Sequence, residues 1–273
     1  CSATNSIGVA TCTMTTLKAE NKILTITSPI TKVGSNYIYF ENDVGANLTF
    51  YNEPTGIETA GANFTVQPEI QILDSNFNPV LRSSTDVTIS AFTDAACTVP
   101  VTGTFSTDNL TVSSSPLTGL SSFTNTYYTK AFETIYLKAN APGITDICSA
   151  GFTMTHNVAN KLILTTQPSA TSVAGVDFAT APTLEIRDFW DNLVTTTGDA
   201  ILPITLTDYT DSGCTIAGTG TLSATANPQA AVAGVSTFTN VDYTKTGNLY
   251  LKVSNGALVT DCTTATLITP GPP

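Results

Sequence analysis

Apolar and polar residues alternate at period two along most of this chain. Lys161-Leu162-Ile163-Leu164-Thr165, Thr183-Leu184-Glu185-Ile186-Arg187, Pro203-Ile204-Thr205-Leu206-Thr207, Ser236-Thr237-Phe238 and Leu249-Tyr250-Leu251-Lys252-Val253 each place apolar side chains on one face, the pattern of a half-buried strand. Glycine, proline and Asn/Asp clusters interrupt these runs at about ten-residue intervals, and no helical period lies between them. Seven or so short strands per hundred residues predict an all-β protein of antiparallel β-sandwiches of immunoglobulin type. The buried core tryptophan of antibody domains is missing, because the single tryptophan, Trp190, falls in a turn.

The pattern is written twice. Leu48, Phe50, Pro54, Ala60, Gly61, Phe64, Pro68, Ile72, Asp74 and Asn78 recur 114 residues later as Leu162, Leu164, Pro168, Ala174, Gly175, Phe178, Pro182, Ile186, Asp188 and Asn192. After some drift in loops, Cys97 falls on Cys214, Tyr136-Leu137-Lys138 on Tyr250-Leu251-Lys252, and Cys148 on Cys262. A period this long is a whole domain rather than a solenoid turn. The expected organisation is a partial β segment over 1–45, one sandwich over 46–157, a second over 158–268, and a Pro-rich terminus or linker over 269–273.

Residues 1–45 offer three strands, around 10–17, 22–27 and 37–41, too few to close a two-sheet core. Ala19-Glu20-Asn21-Lys22-Ile23-Leu24 echoes Val158-Ala159-Asn160-Lys161-Leu162-Ile163, so the piece reads as the end of one repeat running into the next. Its raw edges must lean on the first sandwich or be completed by a neighbour, which makes copies of the chain itself the first expected partner, assembled head to tail. Thr269-Pro270-Gly271-Pro272-Pro273 cannot enter a ladder, and a further repeat after it would fit the pattern.

Composition narrows the function. Of 273 residues, 11% are charged and the formal net charge is −11, a surface that repels phosphate backbones and anionic lipid, so nucleic acid is excluded as a partner. No apolar run is long enough to span a bilayer, so direct membrane insertion is not expected, and with no signal peptide ahead of Cys1 the chain reads as a mature or excised segment. Because the repeat reproduces both members of a cysteine pair, Cys97 is expected to bond Cys148 and Cys214 to bond Cys262, in an oxidising, extracellular or cell-surface setting. Neither a CxxC nor a Cys/His cluster exists, so no metal site is expected. Cys1 and Cys12 are expected to close a hairpin, with Cys12 taking the place of Cys148 and Cys262 before an apolar, Thr-rich strand. Two alternatives stay open: Cys1 as the lipid-bearing start of a processed lipoprotein, and a bond to another chain.

The run Leu162-x-Leu164-x-x-Gln167-Pro168, Ala174-Gly175-x-x-Phe178, Pro182-x-Leu184-x-Ile186-x-Asp188-x-x-Asp191-Asn192-x-Val194, Gly220-Thr221-Leu222, Ala233-Gly234-Val235-Ser236-Thr237-Phe238-Thr239 and Leu249-Tyr250-Leu251 resembles the tandem bacterial Ig-like repeats of large cell-surface and adhesin-like proteins. The resemblance covers about four-fifths of the chain and is specific for architecture rather than function, since such beads serve as stalks, adhesive tips and fibre subunits alike. The first copy departs from it at Glu53-Pro54, where the second has Gln-Pro, and at Phe132-Glu133-Thr134, where the second has a glycine turn. The added cysteine pairs point to a disulfide-bearing subgroup. The resemblance implies a bacterial, surface-exposed structural protein.

Chemistry is sparse. His156, the only histidine, stands at the junction between repeats and reads as a linker residue. Asp94 and Asp211 precede the first cysteines, and Asp146 and Asp261 the second. They recur because their loops recur, and an active site has no reason to be copied in each spacer, so neither an enzyme nor a cofactor is expected. Asp74-Ser75-Asn76-Phe77-Asn78 and Asp188-Phe189-Trp190-Asp191-Asn192 space oxygen ligands like the start of a calcium loop, but they lack its glycine and distal glutamate and read as Asx turns. Phe77, Phe189 and Trp190 lie in these loops as candidate contacts to a ligand or an interface. The leading expectation is a fibre subunit or stalk, and the alternative is an adhesin whose loops bind a glycan or protein on another cell.

Overall fold

A computed structural model describes residues 5–7, 9–23, 25, 37–82 and 84–272 of the chain. Two short strands, β1 (Asn21–Ile23) and β2 (Tyr37–Tyr39), pair antiparallel ahead of the repeats. The first repeat contains β3 (Asn47–Asn52), β4 (Ile57–Thr59), β5 (Glu69–Leu73), β6 (Asp86–Phe92), β7 (Phe105–Ser106), β8 (Thr111–Ser113), β9 (Leu120–Ser122), β10 (Tyr127–Tyr128), β11 (Thr134–Asn140), β12 (Ile147–Cys148) and β13 (Phe152–Thr155). The second contains β14 (Lys161–Thr166), β15 (Thr171–Val173), β16 (Thr183–Arg187), β17 (Pro203–Tyr209), β18 (Leu222–Ser223), β19 (Gln229–Ala230), β20 (Val235–Thr237), β21 (Asp242–Tyr243), β22 (Gly247–Ser254), β23 (Asp261–Cys262) and β24 (Thr266–Thr269).

Strand for strand the two repeats correspond. The sheet β3-β5-β9 is matched by β14-β16-β20, and β4-β13-β11-β6-β8 by β15-β24-β22-β17-β19. The result is two Ig-like β-sandwiches in tandem. One departure from an all-antiparallel expectation is shared: β4 runs parallel to β13, and β15 to β24, because each strand that leaves the three-stranded sheet crosses to the opposite one. The single extra element is a 3-10 turn at Gly198–Ile201 in the second sandwich.

Alternation sets the cores. In β6 Val87, Ile89 and Ala91 point inward, and in β11 Ile135, Leu137 and Ala139 do. Ile204 and Leu206 of β17, with Leu249, Leu251 and Val253 of β22, fill the same layers in the second sandwich. Phe123 and Phe238, both 1% exposed, close equivalent ends. Fully burying a side chain of this size is worth about 1.5–3 kcal/mol, so each sandwich has an ordinary core of its own.

Both places where the first copy departs from the repeat keep their structural role. The Glu53 carboxylate accepts the Ala150 N–H at 3.0 Å, as the Gln167 amide oxygen accepts the Thr264 N–H at 2.9 Å. Only an acceptor is required there. At the entry to β11, Phe132 holds φ at 63°, a left-handed conformation that Gly247 meets at φ 120° at the start of β22.

The N-terminal segment departs from the sequence expectation. Residues 9–20 hold no strand, so 10–17 is not one, and Cys12 does not precede a strand as Cys148 and Cys262 do. Thr-rich runs have strand propensity, but among the described residues this one enters no ladder. The expected strand over 22–27 is realised as Asn21–Ile23, with residues 24 and 26–36 outside the described residues; that over 37–41 is Tyr37–Tyr39. The structural echo is also not the expected one. Residues 37–46 run into β3 as 151–160 run into β14, so 19–24 is not the counterpart of 158–163. Cys12 is disulfide-bonded, and its expected partner Cys1 lies outside the described residues.

Disulfides join Cys97 to Cys148 and Cys214 to Cys262, with Cα–Cα distances of 6.2 and 6.3 Å and sequence separations of 51 and 48 residues. Each ties the loop after an inner strand (β6, β17) to the short strand (β12, β23) that pairs with its neighbour (β11, β22). By chain entropy each bond contributes ~4 kcal/mol. Replacing either pair by serines is expected to lower the denaturant midpoint of its own sandwich by that order, and reductant is expected to do the same to wild type. Equal midpoints in oxidised and reduced protein would show that the bridges do not support the fold.

Candidate functional site

The described residues contain no group of three or more His, Cys, Asp or Glu side chains placed to hold a metal ion. What the repeat does bring together is a joint. In the β16–β17 connection, Asp188 is completely buried and its carboxylate is saturated by donors. Oδ1 accepts the N–H groups of Trp190 and Asn192, both at 2.9 Å, and Oδ2 accepts the Asn157 N–H and the Asn192 side-chain amide, both at 2.9 Å. The calcium-like spacing is therefore an Asx turn, with its acceptor sites occupied by the protein's own amides.

The turn aims Asn192 at the first sandwich. Its amide oxygen accepts the Ala131 N–H at 2.8 Å and its amide nitrogen donates to the Thr129 carbonyl at 2.8 Å. A single side chain thus takes both backbone groups just past the end of a strand, mimicking one rung of a ladder. All three residues are buried, with Asn192 8%, Thr129 7% and Ala131 5% exposed.

The same clamp occurs one repeat earlier. Asp74 Oδ1 accepts the N–H groups of Asn76 and Asn78 at 2.8 and 2.9 Å, and Oδ2 accepts the Asp43 N–H at 3.1 Å and the Asn78 amide at 3.0 Å. Asn78 then accepts the Ala19 N–H at 3.1 Å and donates to the Leu17 carbonyl at 2.8 Å. The N-terminal segment therefore occupies the place of a preceding sandwich, held further by Asn42, which accepts the Leu81 N–H at 3.0 Å, and by an ion pair of Glu41 with Arg82. Burial pushes the Asp74 carboxyl up, but the donors from Asn78, Asp43 and Asn76 outweigh it and hold the group below the usual aspartate range.

Aromatic packing distinguishes the second joint. The Trp190 indole lies on Gly61, where a Cβ would sit 1.7 Å from the indole nitrogen, so only glycine fits beneath it. Tyr127 flanks it at 6.2 Å between ring centroids, and Phe189 meets it edge-on at 5.0 Å. Trp190 is 37% exposed, while Phe189 at 65% and Phe77 at 71% face solvent. Of the three loop aromatics, then, one packs across the joint.

His156 is buried in the linker. Its Nδ1 lies 2.8 Å from the Asn157 carbonyl, which can only accept, so Nδ1 carries the proton. Nε2 then accepts from the Thr196 N–H at 3.2 Å and hydroxyl at 2.8 Å. The Asn157 side chain donates to the Ala60 carbonyl at 3.0 Å. Linker, loop and preceding strand end form one hydrogen-bonded seam.

The repeated carboxylates serve their loops. Asp94 Oδ1 accepts the N–H groups of Thr98 and Val99 at 2.9 and 2.7 Å, and Asp211 those of Thr215 and Ile216 at the same distances. The donors from Val99 and Ile216 lead in holding these two carboxyls below their ordinary value. An open cleft of about 510 Å³ lies between the N-terminal segment and the first sandwich, but Arg82 stacks on Tyr39 at 5.0 Å within it and pairs with Glu41, leaving no convergent free groups.

Sequence reasoning located the loops and their turn chemistry but missed Asn78 and Asn192 as clamps, and Gly61 as the seat of an indole. The available signal was the recurrence of Asp-x-x-x-Asn and Ala-Gly at matched positions.

No protein-family model matches the chain, and no curated protein matches its sequence. Among solved structures, an S-layer protein is similar over 88% of this chain and 30% of its own length, at 14% identity and a TM-score of 0.33. The D00-D0 domain of intimin is similar over 82% of this chain and 98% of its own, at 13% identity and a TM-score of 0.36. A β-glucuronidase of Parabacteroides merdae is similar over 82% of this chain and 25% of its own, at 12% identity and a TM-score of 0.27. The chain thus spans under a third of two of these proteins. At this level of likeness no activity passes from them to this chain.

Two outcomes test the clamp. Asn192→Ala strands the Thr129 carbonyl and the Ala131 N–H in a buried seam, at about 1–3 kcal/mol for each orphaned group, so the seam is expected to open to water. Calorimetry should then resolve separate transitions for the two sandwiches and small-angle scattering a wider spread of distances between them, while Asn78→Ala leaves both readouts unchanged. For Asp74, the folded carboxyl titrates below its ordinary value of 3.8, so its contribution is complete above that value and lost as pH falls through the lower folded one. The Ala19 and Asn78 amides should stay protected from hydrogen exchange between pH 5 and 8 by about the same factor and lose protection only well into acid. Loss of protection near neutrality would assign the clamp to another group.

Proposed function

We propose that the chain is an extracellular, non-enzymatic structural protein, a stretch of surface stalk or a fibre subunit of bacterial type. The observation that carries this reading is the repetition of one clamp at both junctions: Asp74 and Asn78 on the N-terminal segment, Asp188 and Asn192 on the first sandwich. A device copied with the repeat fixes how successive units sit, which is what a load-bearing rod requires. The disulfide in each sandwich supports an oxidising compartment and limits how far a pulled unit extends before the bridge stops it. The described residues include no helix long and apolar enough to cross a membrane.

A second reading, an adhesin binding a glycan or protein through its loops, is favoured by the exposure of Phe77 and Phe189, whose rings face water beside acidic turns. The two readings separate by experiment. For a fibre subunit, electron microscopy of the purified protein shows ordered end-to-end polymers. For an adhesin, glycan-array or cell binding falls about tenfold or more in Phe77→Ala or Phe189→Ala, a loss of ~1.4 kcal/mol. Trp190→Ala, which empties the seat on Gly61, is expected to loosen the joint and leave any loop-borne binding in place. Binding of a glycan by a strictly monomeric protein would overturn the structural reading.

A further inference from the structure

The second joint closes around the chain's one histidine, and in the first joint an asparagine does the same work. Linker residues 37–46 correspond to 151–160, which sets Asn42 against His156. The Asn42 side-chain nitrogen donates to the carbonyl of the next residue, Asp43, at 3.0 Å, and its oxygen accepts the Leu81 N–H at 3.0 Å. His156 Nδ1 donates to the carbonyl of its own next residue, Asn157, at 2.8 Å, and Nε2 accepts the Thr196 N–H at 3.2 Å. Each position therefore has to supply one donor to the linker and one acceptor to the loop that follows β5 or β16. An amide supplies that pair at any pH. An imidazole supplies it only as one neutral tautomer.

A proton on Nε2 turns that acceptor into a donor aimed at the Thr196 N–H. The Thr196 hydroxyl, 2.8 Å from Nε2, can reverse and accept, but the N–H cannot, and among the described residues it has no other acceptor. The charge is also left unanswered in a buried ring. The cleft of about 480 Å³ beside the ring is lined by threonines, Asn157 and Val158, with no carboxylate among the described residues. Charged groups on the surrounding elements are engaged elsewhere. Asp188 is saturated by its own loop and the Asn157 N–H, and Asp199 accepts the Ala159 N–H at 3.0 Å. On the first sandwich, Glu58 accepts the Thr65 N–H and hydroxyl, and Glu133, next to the Phe132 ring that packs 6.1 Å from the imidazole, pairs with Lys130 and Tyr128. Lys161, beyond the linker, pairs with Asp191, and Arg187 with Glu185. The loop is also under tension, since Thr197 holds φ at 73°, a strained value for a β-branched residue.

We infer that the second joint is pH-sensitive: as pH falls from about 8 to 5, the range in which imidazoles gain their proton, His156 charges and the Thr196 loop releases the linker. The closed joint keeps the ring neutral, so opening takes up a proton and the closed form loses stability as pH falls. The first joint, built on Asn42, stays shut over the same range. The inference goes beyond the stalk and adhesin readings alike, and gives the chain one hinge that softens in acid.

The test follows the full chain between about pH 8 and pH 5 by amide hydrogen exchange, corrected for the intrinsic rate at each pH, and by small-angle scattering. Protection of the Thr196 N–H should fall about tenfold or more across that range, while that of the Leu81 N–H held by Asn42 stays level. Distances between the two sandwiches should spread in parallel. His156→Asn installs the pair that Asn42 supplies and should keep Thr196 protected throughout. In wild type, ring nitrogen resonances should show the neutral Nδ1–H tautomer at the alkaline end and a second proton arriving in step with the loss of Thr196 protection. That measurement stands even if the substituted chain fails to fold. Thr196 protection that holds in acid in wild type, or that falls equally in His156→Asn, overturns the inference. So does a ring that takes its proton while Thr196 stays protected. Each of these failures leaves the structural reading standing, because that reading rests on the Asn78 and Asn192 clamps.

Discussion

A β-sandwich ends in strand tips whose backbone N–H and C=O groups need partners, and stringing sandwiches together depends on how those tips are satisfied. Here one asparagine side chain does it. Its amide has an acceptor and a donor held a fixed distance apart, which matches the N–H of one residue and the carbonyl of the residue two before it. Asn192 takes Ala131 and Thr129 in this way, and Asn78 takes Ala19 and Leu17. A charged side chain would add a desolvation cost in a seam this dry, and a hydroxyl is too short to reach both groups. The asparagine is itself held by a buried aspartate that also receives the linker N–H, so loop, linker and preceding tip share one hydrogen-bond network.

The fold was legible because its signals are local and repeated. Alternation in stretches such as Thr183–Arg187 and Pro203–Tyr209 shows which side chains face the core, and the matched positions of four cysteines reflect pairs brought together across β12 and β23. Where the repeat is incomplete the local signals mislead. Residues 10–17 have the composition of a strand, yet they enter no ladder, and at their end the Leu17 carbonyl accepts from the Asn78 amide instead. The short likeness of Ala19–Leu24 to 158–163 was outweighed by the covalent course of 37–46 into β3, which fixes the register of everything that follows.

The candidate site was only half visible. Asp-x-x-x-Asn with an interposed aromatic reads from sequence as a turn, and that is its local structure. Its second role depends on what lies 61 residues away for Asn192 and 59 for Asn78, and no local rule connects a turn to a distant strand tip. Gly61 shows the same limit. As one half of an Ala-Gly pair with φ of 72° it reads as a turn glycine, and so does Gly175 at 74°, yet only Gly61 lies under an indole. Two residues with similar backbone requirements differ in what covers them, and the indole over Gly61 comes from a loop more than a hundred residues on.

That order also gives the joint a direction. The clamp always belongs to the following unit and grips the tip of the preceding one, so tension along the chain pulls the linker at His156 and Asn157 against the loop that holds it. The linker's own amide bonds Asp188 and its side chain bonds the Ala60 carbonyl, so Asn157 is tied to both sides of the seam. The disulfides are restraints of another kind, since each closes a loop within one sandwich. Hydrogen bonds therefore hold one unit to the next, while covalent bridges hold each sandwich to itself, and the geometry of the joint rests on buried amides rather than on sulfur.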